Sequence, residues 1–357
     1  GRTTAGGNTD SEGYGNFKYT VPTGAKAMCS KNLPEPTIKK PTDYHKSILY
    51  TATGVTNRTL TGVGFSPNFG WFARRNASGA GSMLFDTVRG ATKEIYAPYD
   101  TGEDTVAESL KSFDADGYTL GNNWPNATGT GSDSWVAWNW IKSATTGFDI
   151  VLYTGNGSAR TISHSLGVVP EMYIVKRRDA ADNWMVYHKD MGNTHYMELN
   201  SLNDKADFAS AWNDTSPTSS VFTVGTDGSV NLNTATYMAY LWASVEGFSK
   251  VGAYVGNGNT DGTFVYTGFR PAWVMTKAHD RDAHWYIWDN ARSPYNQVQK
   301  VVWANLNSAE EDHSAYGIDF LSNGFKVRNN QSDTNTSGSV SIYLAFAESS
   351  FKYAKAR

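Results

Sequence analysis

Apolar and polar residues alternate along this chain in short runs, and no long stretch keeps a helical period. Strands are expected at residues 47–51, 59–61, 68–74 and 82–85, each closed by Gly, Asn, Asp or Pro. Residues 103–112 offer at best one or two helical turns. Trp184-Met-Val-Tyr187 and Trp285-Tyr-Ile-Trp288 read as the same middle strand, of which Met83-Leu-Phe85 is a shorter version. Asp116-Gly117, Asp227-Gly228 and Asn323-Gly324 are hairpin dipeptides, and the first suits a type I′ turn.

The pattern repeats. Tyr50-Thr-Ala-Thr-Gly54, Tyr153-Thr-Gly-Asn-Gly157 and Tyr254-Val-Gly-Asn-Gly258 are spaced 103 and 101 residues apart, and Pro67, Pro170 and Pro271 follow at the same offsets. The closing strand recurs as Trp135-Val-Ala-Trp138, Tyr237-Met-Ala-Tyr240 and Tyr343-Leu-Ala-Phe346. A small residue between bulky ones predicts tight sheet-on-sheet packing over the Ala. The expected fold is all-β: three tandem antiparallel β-sandwich, jelly-roll-like modules of about 100 residues behind an extended leader. The boundaries are 1–44 for the tail and Pro-rich connector, then 45–143, 144–247 and 248–357. With so many aromatics, each copy is expected to bury a core of its own and to fold alone.

Aromatics make up 13% of the chain and charged residues 18%, which fits sheets joined by tight turns. A net charge of −3 argues against a general grip on nucleic acid or anionic membrane. No apolar run is long enough to span a bilayer. Cys29 is the single cysteine and reads as a small buried residue; it excludes an intrachain disulfide framework. The chain opens on Gly and reads as a processed or excised portion of something longer.

Catalytic chemistry finds little support. Asp86-x-x-Arg89 and Asp289-x-x-Arg292 recur in the first and third copies, where a local ion pair or turn cap explains them; no carboxylate pair recurs as a hydrolase needs. His279, Asp280, Asp282 and His284 form the densest group of metal-ligand types, yet a polar loop between strands accounts for them without metal. No cofactor is expected. Trp124, Trp212 and Tyr295 lie in polar, turn-rich surroundings and are the glycan-contact candidates, since Trp and Tyr on β-scaffold loops stack on sugar rings.

Residues from Phe17 to Pro36, then Tyr153-Thr-Gly-Asn-Gly157 and Ser112-Phe-Asp-Ala-Asp-Gly-Tyr118, resemble a segment order in virion structural and tail-fibre-like proteins of cyanophages and related marine phages. There, the end of a SPRY/concanavalin-like domain leads into such β-modules. The SPRY-like domain itself is absent here, and the first copy has Ala52-Thr53 where the motif has Gly-Asn. The resemblance implies a non-enzymatic virion protein with other virion proteins as partners, a homo-oligomer (most simply a trimer), and host surface polysaccharide as ligand. A capsid-decorating protein with a purely structural role is the second expectation, and a glycan depolymerase the third. Three copies in one chain also suit a threefold position as a pseudo-trimer.

Overall fold

A computed structural model describes residues 6–32, 36–129 and 131–349. The chain is all-β, with three six-stranded antiparallel sheets, one per repeat. The first runs, in spatial order, His45–Thr51, Ser134–Trp140, Phe69–Arg74, Ser82–Asp86, Lys93–Tyr96 and Asp104–Thr105. The second has Thr236–Trp242 between Phe148–Thr154 and Met172–Arg177, and the third has Val340–Ser349 between Ser249–Val255 and Arg270–Ala278. In each repeat the closing strand therefore inserts beside the first. Residues 103–112 contain strand and turn, not helix.

Both faces of each closing strand are buried. Val136, Trp138 and Trp140 point one way; Trp135 and Ala137 point the other. The first face meets its counterparts Met238, Tyr240 and Trp242 and Ile342, Leu344 and Phe346 in one core shared by all three sheets. The second face packs under a small outer sheet, in the first module Arg58–Thr61, Gly117–Leu120 and Leu110–Asp114. The cores that belong to single modules are therefore only the outer ones, where a self-contained core was expected of each copy. Each module keeps an outer core, but its inner face is completed only by the other two, because alternation on a strand gives each face its own partner. The modules form a closed cluster, not a rod.

Pairing also corrects the alignment of the third closing strand. Trp135 and Tyr237 stand opposite Tyr50 and Tyr153, whereas Ser341 stands opposite Tyr254. Leu344, not Phe346, is thus the counterpart of Trp138 and Tyr240. A shift of two residues preserves which side chains face inward, so the pattern alone cannot reveal it. The packing compensates: Ile48–Ala137 and Val151–Ala239 become Gly252–Tyr343. A Cβ at Gly252 would meet the Tyr343 ring at 2.8–3.0 Å, so only Gly admits that ring.

Two of the expected hairpins form, but their turns sit one residue earlier, at Ala115-Asp116 and Ser322-Asn323, and each Gly opens the return strand. The first is not type I′, because neither Ala115 nor Asp116 has the positive φ that type I′ demands. The Asp116 carboxylate instead accepts from the Gly62 and Gly64 amides. Asp227-Gly228 makes no hairpin: Asp227 caps a one-turn helix, Gly228–Asn231, by accepting from the Ser229 amide. Cys29 is exposed, contrary to expectation.

Candidate functional site

Three seams close the cluster. Where the second module meets the first, the Tyr240 hydroxyl donates to Asp86 Oδ2 at 2.8 Å. Asp86 is fully buried and holds the Arg89 guanidinium. Arg89 reaches Glu103 at 3.3 Å, and Arg178 of the second module grips the same carboxylate with two hydrogen bonds of 3.0 Å. Where the first module meets the third, the relay recurs. Trp138 Nε1 donates to Asp289 Oδ2 at 2.9 Å, Asp289 holds Arg292, and Arg75 grips Glu310 with two bonds of 2.9 Å. The Asp-x-x-Arg pairs are therefore local ion pairs, and each also anchors a neighbouring module.

The third seam carries none of this. Leu344 takes the place of the donor and His188 that of the acceptor, with Met191 at the arginine position. The Lys205 amide bonds the His279 carbonyl at 2.9 Å, just as the Glu103 and Glu310 amides bond Arg178 and Arg75. The relay Asp, Arg, Glu, Arg has thus become His, Met, Lys, His as a set. Burial pushes the His188 imidazole down to about 3, so it sits there neutral. This seam is held instead by Lys277 Nζ donating to the Leu202 carbonyl at 2.6 Å and Trp285 Nε1 donating to the Glu198 carbonyl at 2.9 Å. Lys176 and Trp184 make the matching bonds to Asp100 and Tyr96 across the first seam, at 2.6 and 3.1 Å.

At one end of the cluster a buried asparagine closes each repeat motif. Asn126, Asn231 and Asn335 accept from the backbone amides of Thr53, Asn156 and Asn257, all at 3.0 Å. Their side-chain amides donate to the Gly121, Gly225 and Asn329 carbonyls at 2.6–2.7 Å. The Tyr and Gly of the motif meet the same segment: the Tyr50, Tyr153 and Tyr254 hydroxyls and the Gly54, Gly157 and Gly258 amides all bond its carbonyls. These glycines have φ of +67°, +73° and +68°, which is why the motif ends in Gly. The asparagines are 105 and 104 residues apart, close to the 103 and 101 of the tyrosines, a recurrence visible in the sequence.

The glycan candidates are not brought together. Trp212 is fully buried, donates Nε1 to the His195 carbonyl at 3.1 Å, and meets the Tyr173 ring edge-on at 4.9 Å. It is a core residue with no face left for a ligand. Trp124 is half-buried, between Trp135 at 5.6 Å and the Arg74 guanidinium at 5.1 Å. Only Tyr295 stands free, 83% exposed, on another module. The metal candidates also part company. The Asp280 carboxylate accepts from Ser339 and the Val340 amide, while His284 Nδ1 meets Asn305 at 3.0 Å. Among the described residues no three His, Cys, Asp or Glu groups gather around a point an ion would occupy. No helix there is long and apolar enough to cross a membrane.

One open groove lies beside the second linker, a space of about 280 Å³ lined by Ser244, Glu246, Lys250, Tyr266 and Thr267 among others. Residues 40–350 match one family, a domain of unknown function designated DUF7483. The chain belongs to the DUF7483 family. The match runs through all three sheets without a break, so the family unit is the closed cluster and not the single module. No curated protein matches the chain.

Proposed function

We propose that this chain is a non-enzymatic structural protein of a tailed-phage particle, a self-closed head of three β-modules that contacts host surface glycan. The observation that supports this most is polarity. The connector at Tyr44 packs against Phe248, the Ile141 amide bonds the Tyr44 carbonyl at 2.9 Å, and the Ala347 amide bonds the Phe248 carbonyl at 2.8 Å. The leader, both linkers and the last strand thus converge on one end. The three asparagine-clamped turns occupy the other, so the two ends are unlike, and the groove beside the second linker lies at the convergent end, the one that this reading leaves presented. The recurring carboxylates Asp86 and Asp289 are buried against arginines, a use that leaves them no substrate.

A decorating role is the second reading. It is favoured by Val168 and Val169, each 48% exposed on a corner at the convergent end, where a particle surface would cover them. Labelled protein is added to cyanobacterial cells with and without periodate oxidation of their glycans. Saturable binding that oxidation abolishes supports attachment; absence of binding, with antibody labelling spread over the capsid, moves the role to decoration.

A further inference from the structure

The three modules differ on their outermost strands. In the first module Arg58–Thr61 turns Thr59 and Thr61 outward, and in the second Arg160–Ser163 turns Thr161 and Ser163 outward. By their pairing with Tyr118, Phe222 and Phe325, residues Leu60, Ile162 and Val265 are equivalent. The third module therefore puts Phe264 and Tyr266 where the others put Thr or Ser, and these rings are 43% and 66% exposed. Its edge arginine is replaced as well: Thr263 donates to the Val255 carbonyl as Arg58 and Arg160 do to Thr51 and Thr154.

Tyr266 forms a wall of the groove beside the second linker. Gly268, at φ +88°, leaves its backbone against the ring, where a Cβ would lie 3.7–4.0 Å from Tyr266 atoms. The exposed Glu246, the part-exposed Lys250, Ser244 and Thr267 line the same groove. The Ser244 hydroxyl is spent on Glu171 and the Val251 amide, and the buried Thr267 hydroxyl on the Phe269 carbonyl, so one ring face, one acceptor and one donor are left to line the space. An apolar ligand would desolvate Glu246 and Lys250 without giving either a partner, and an ion would meet a like charge as well as an opposite one. A neutral ring with a C–H face and hydroxyl edges uses all three, the C–H face against Tyr266 and the hydroxyls against Glu246 and Lys250.

We propose that the groove bounded by Tyr266, Glu246 and Lys250 is a binding site for a neutral pyranose sugar, with Phe264 extending the platform along the strand. This deepens the glycan-contact reading and rests on it only for the source of the sugar. Addition of a peptide strand to the same sheet edge is the competing use. It is disfavoured because the first two modules present an edge of the same kind, and what sets the third apart is its outward side chains.

The full chain is applied to immobilised neutral gluco-, galacto- and manno-oligosaccharides. Binding to at least one is expected, weakened about tenfold or more in Tyr266→Ser, the residue the second module carries there. Lys250→Ala is expected to weaken it too and Ser163→Ala to leave it unchanged, with thermal unfolding of every variant as the control for folding. Absence of binding to the whole panel overturns the site, as does equal binding by a folded Tyr266→Ser. Capture of an extended Thr/Val peptide instead of sugar overturns it in favour of strand addition. Periodate-sensitive cell binding that survives Tyr266→Ser sinks the site and spares the attachment reading. Tyr266-dependent sugar binding without cell binding does the reverse.

Discussion

Tyr240 and Asp86, 154 residues apart, share a buried hydrogen bond of 2.8 Å that joins the second module to the first. Tyr240→Phe removes the donor and leaves Asp86 with Arg89. The expected loss is about 1–3 kcal/mol, read as a lower urea midpoint at unchanged slope. Asp86→Ala leaves the buried Arg89 with Glu103 as its remaining counter-charge and should cost more, about 3–5 kcal/mol. Equal losses for the two variants would show that the pair does not act as described.

The third seam should reject the charge the other two require. His188→Asp places a carboxylate beside Leu344 with Met191 where an arginine would be, a burial expected to cost more than about 3 kcal/mol. Adding Leu344→Tyr supplies the missing donor, and a double-mutant cycle should show favourable coupling. A folded, undisturbed His188→Asp single variant would contradict this.

Acid should loosen the cluster before the carboxylates titrate. Burial holds the His45 and His188 imidazoles at about 3, against an ordinary value of 6.5. The unfolded chain therefore binds more protons between those values. Stability is complete above about pH 6.5 and falls as pH drops, by on the order of 1 kcal/mol per pH unit for each histidine. Urea midpoints at pH 7.5 and pH 5 measure this, and His188→Leu should flatten the dependence.

The asparagine clamp should govern one turn at a time. Asn231→Ala removes bonds to Asn156, Ser158 and Gly225 at once. The backbone groups left unpaired predict a loss of about 2–4 kcal/mol. Hydrogen exchange should quicken at the Asn156 and Gly157 amides and stay slow at Asn257 and Gly258.

Residues 144–247 expressed alone should lack cooperative unfolding and bind hydrophobic dyes, since Met172, Ile174, Trp184 and Trp242 lose the faces that cover them. The whole chain should unfold in a single transition. A stable, soluble second module would show that the shared core is dispensable.

The repeat, the all-β class and the strand-forming runs were legible in the sequence, because alternation and turn residues act over a few positions and recur at a fixed period. So was the spacing of Asp86 and Arg89 and of Asp289 and Arg292, as local pairs. What those pairs reach was not. The partners of Asp86 and Glu103 are Tyr240 and Arg178, and no local rule connects positions so far apart. Trp212 shows the same limit from the other side: polar neighbours in sequence suggested a surface loop, while a short helix turns the indole under Tyr173. The two-residue slip of the third closing strand preserves every inward and outward position, so only pairing with Ser249–Val255 could reveal it. Local pattern determined that there are three β-modules and that their closing strands are apolar; the tertiary structure decided that the inner faces complete one another, because an apolar face specifies burial without specifying its partner.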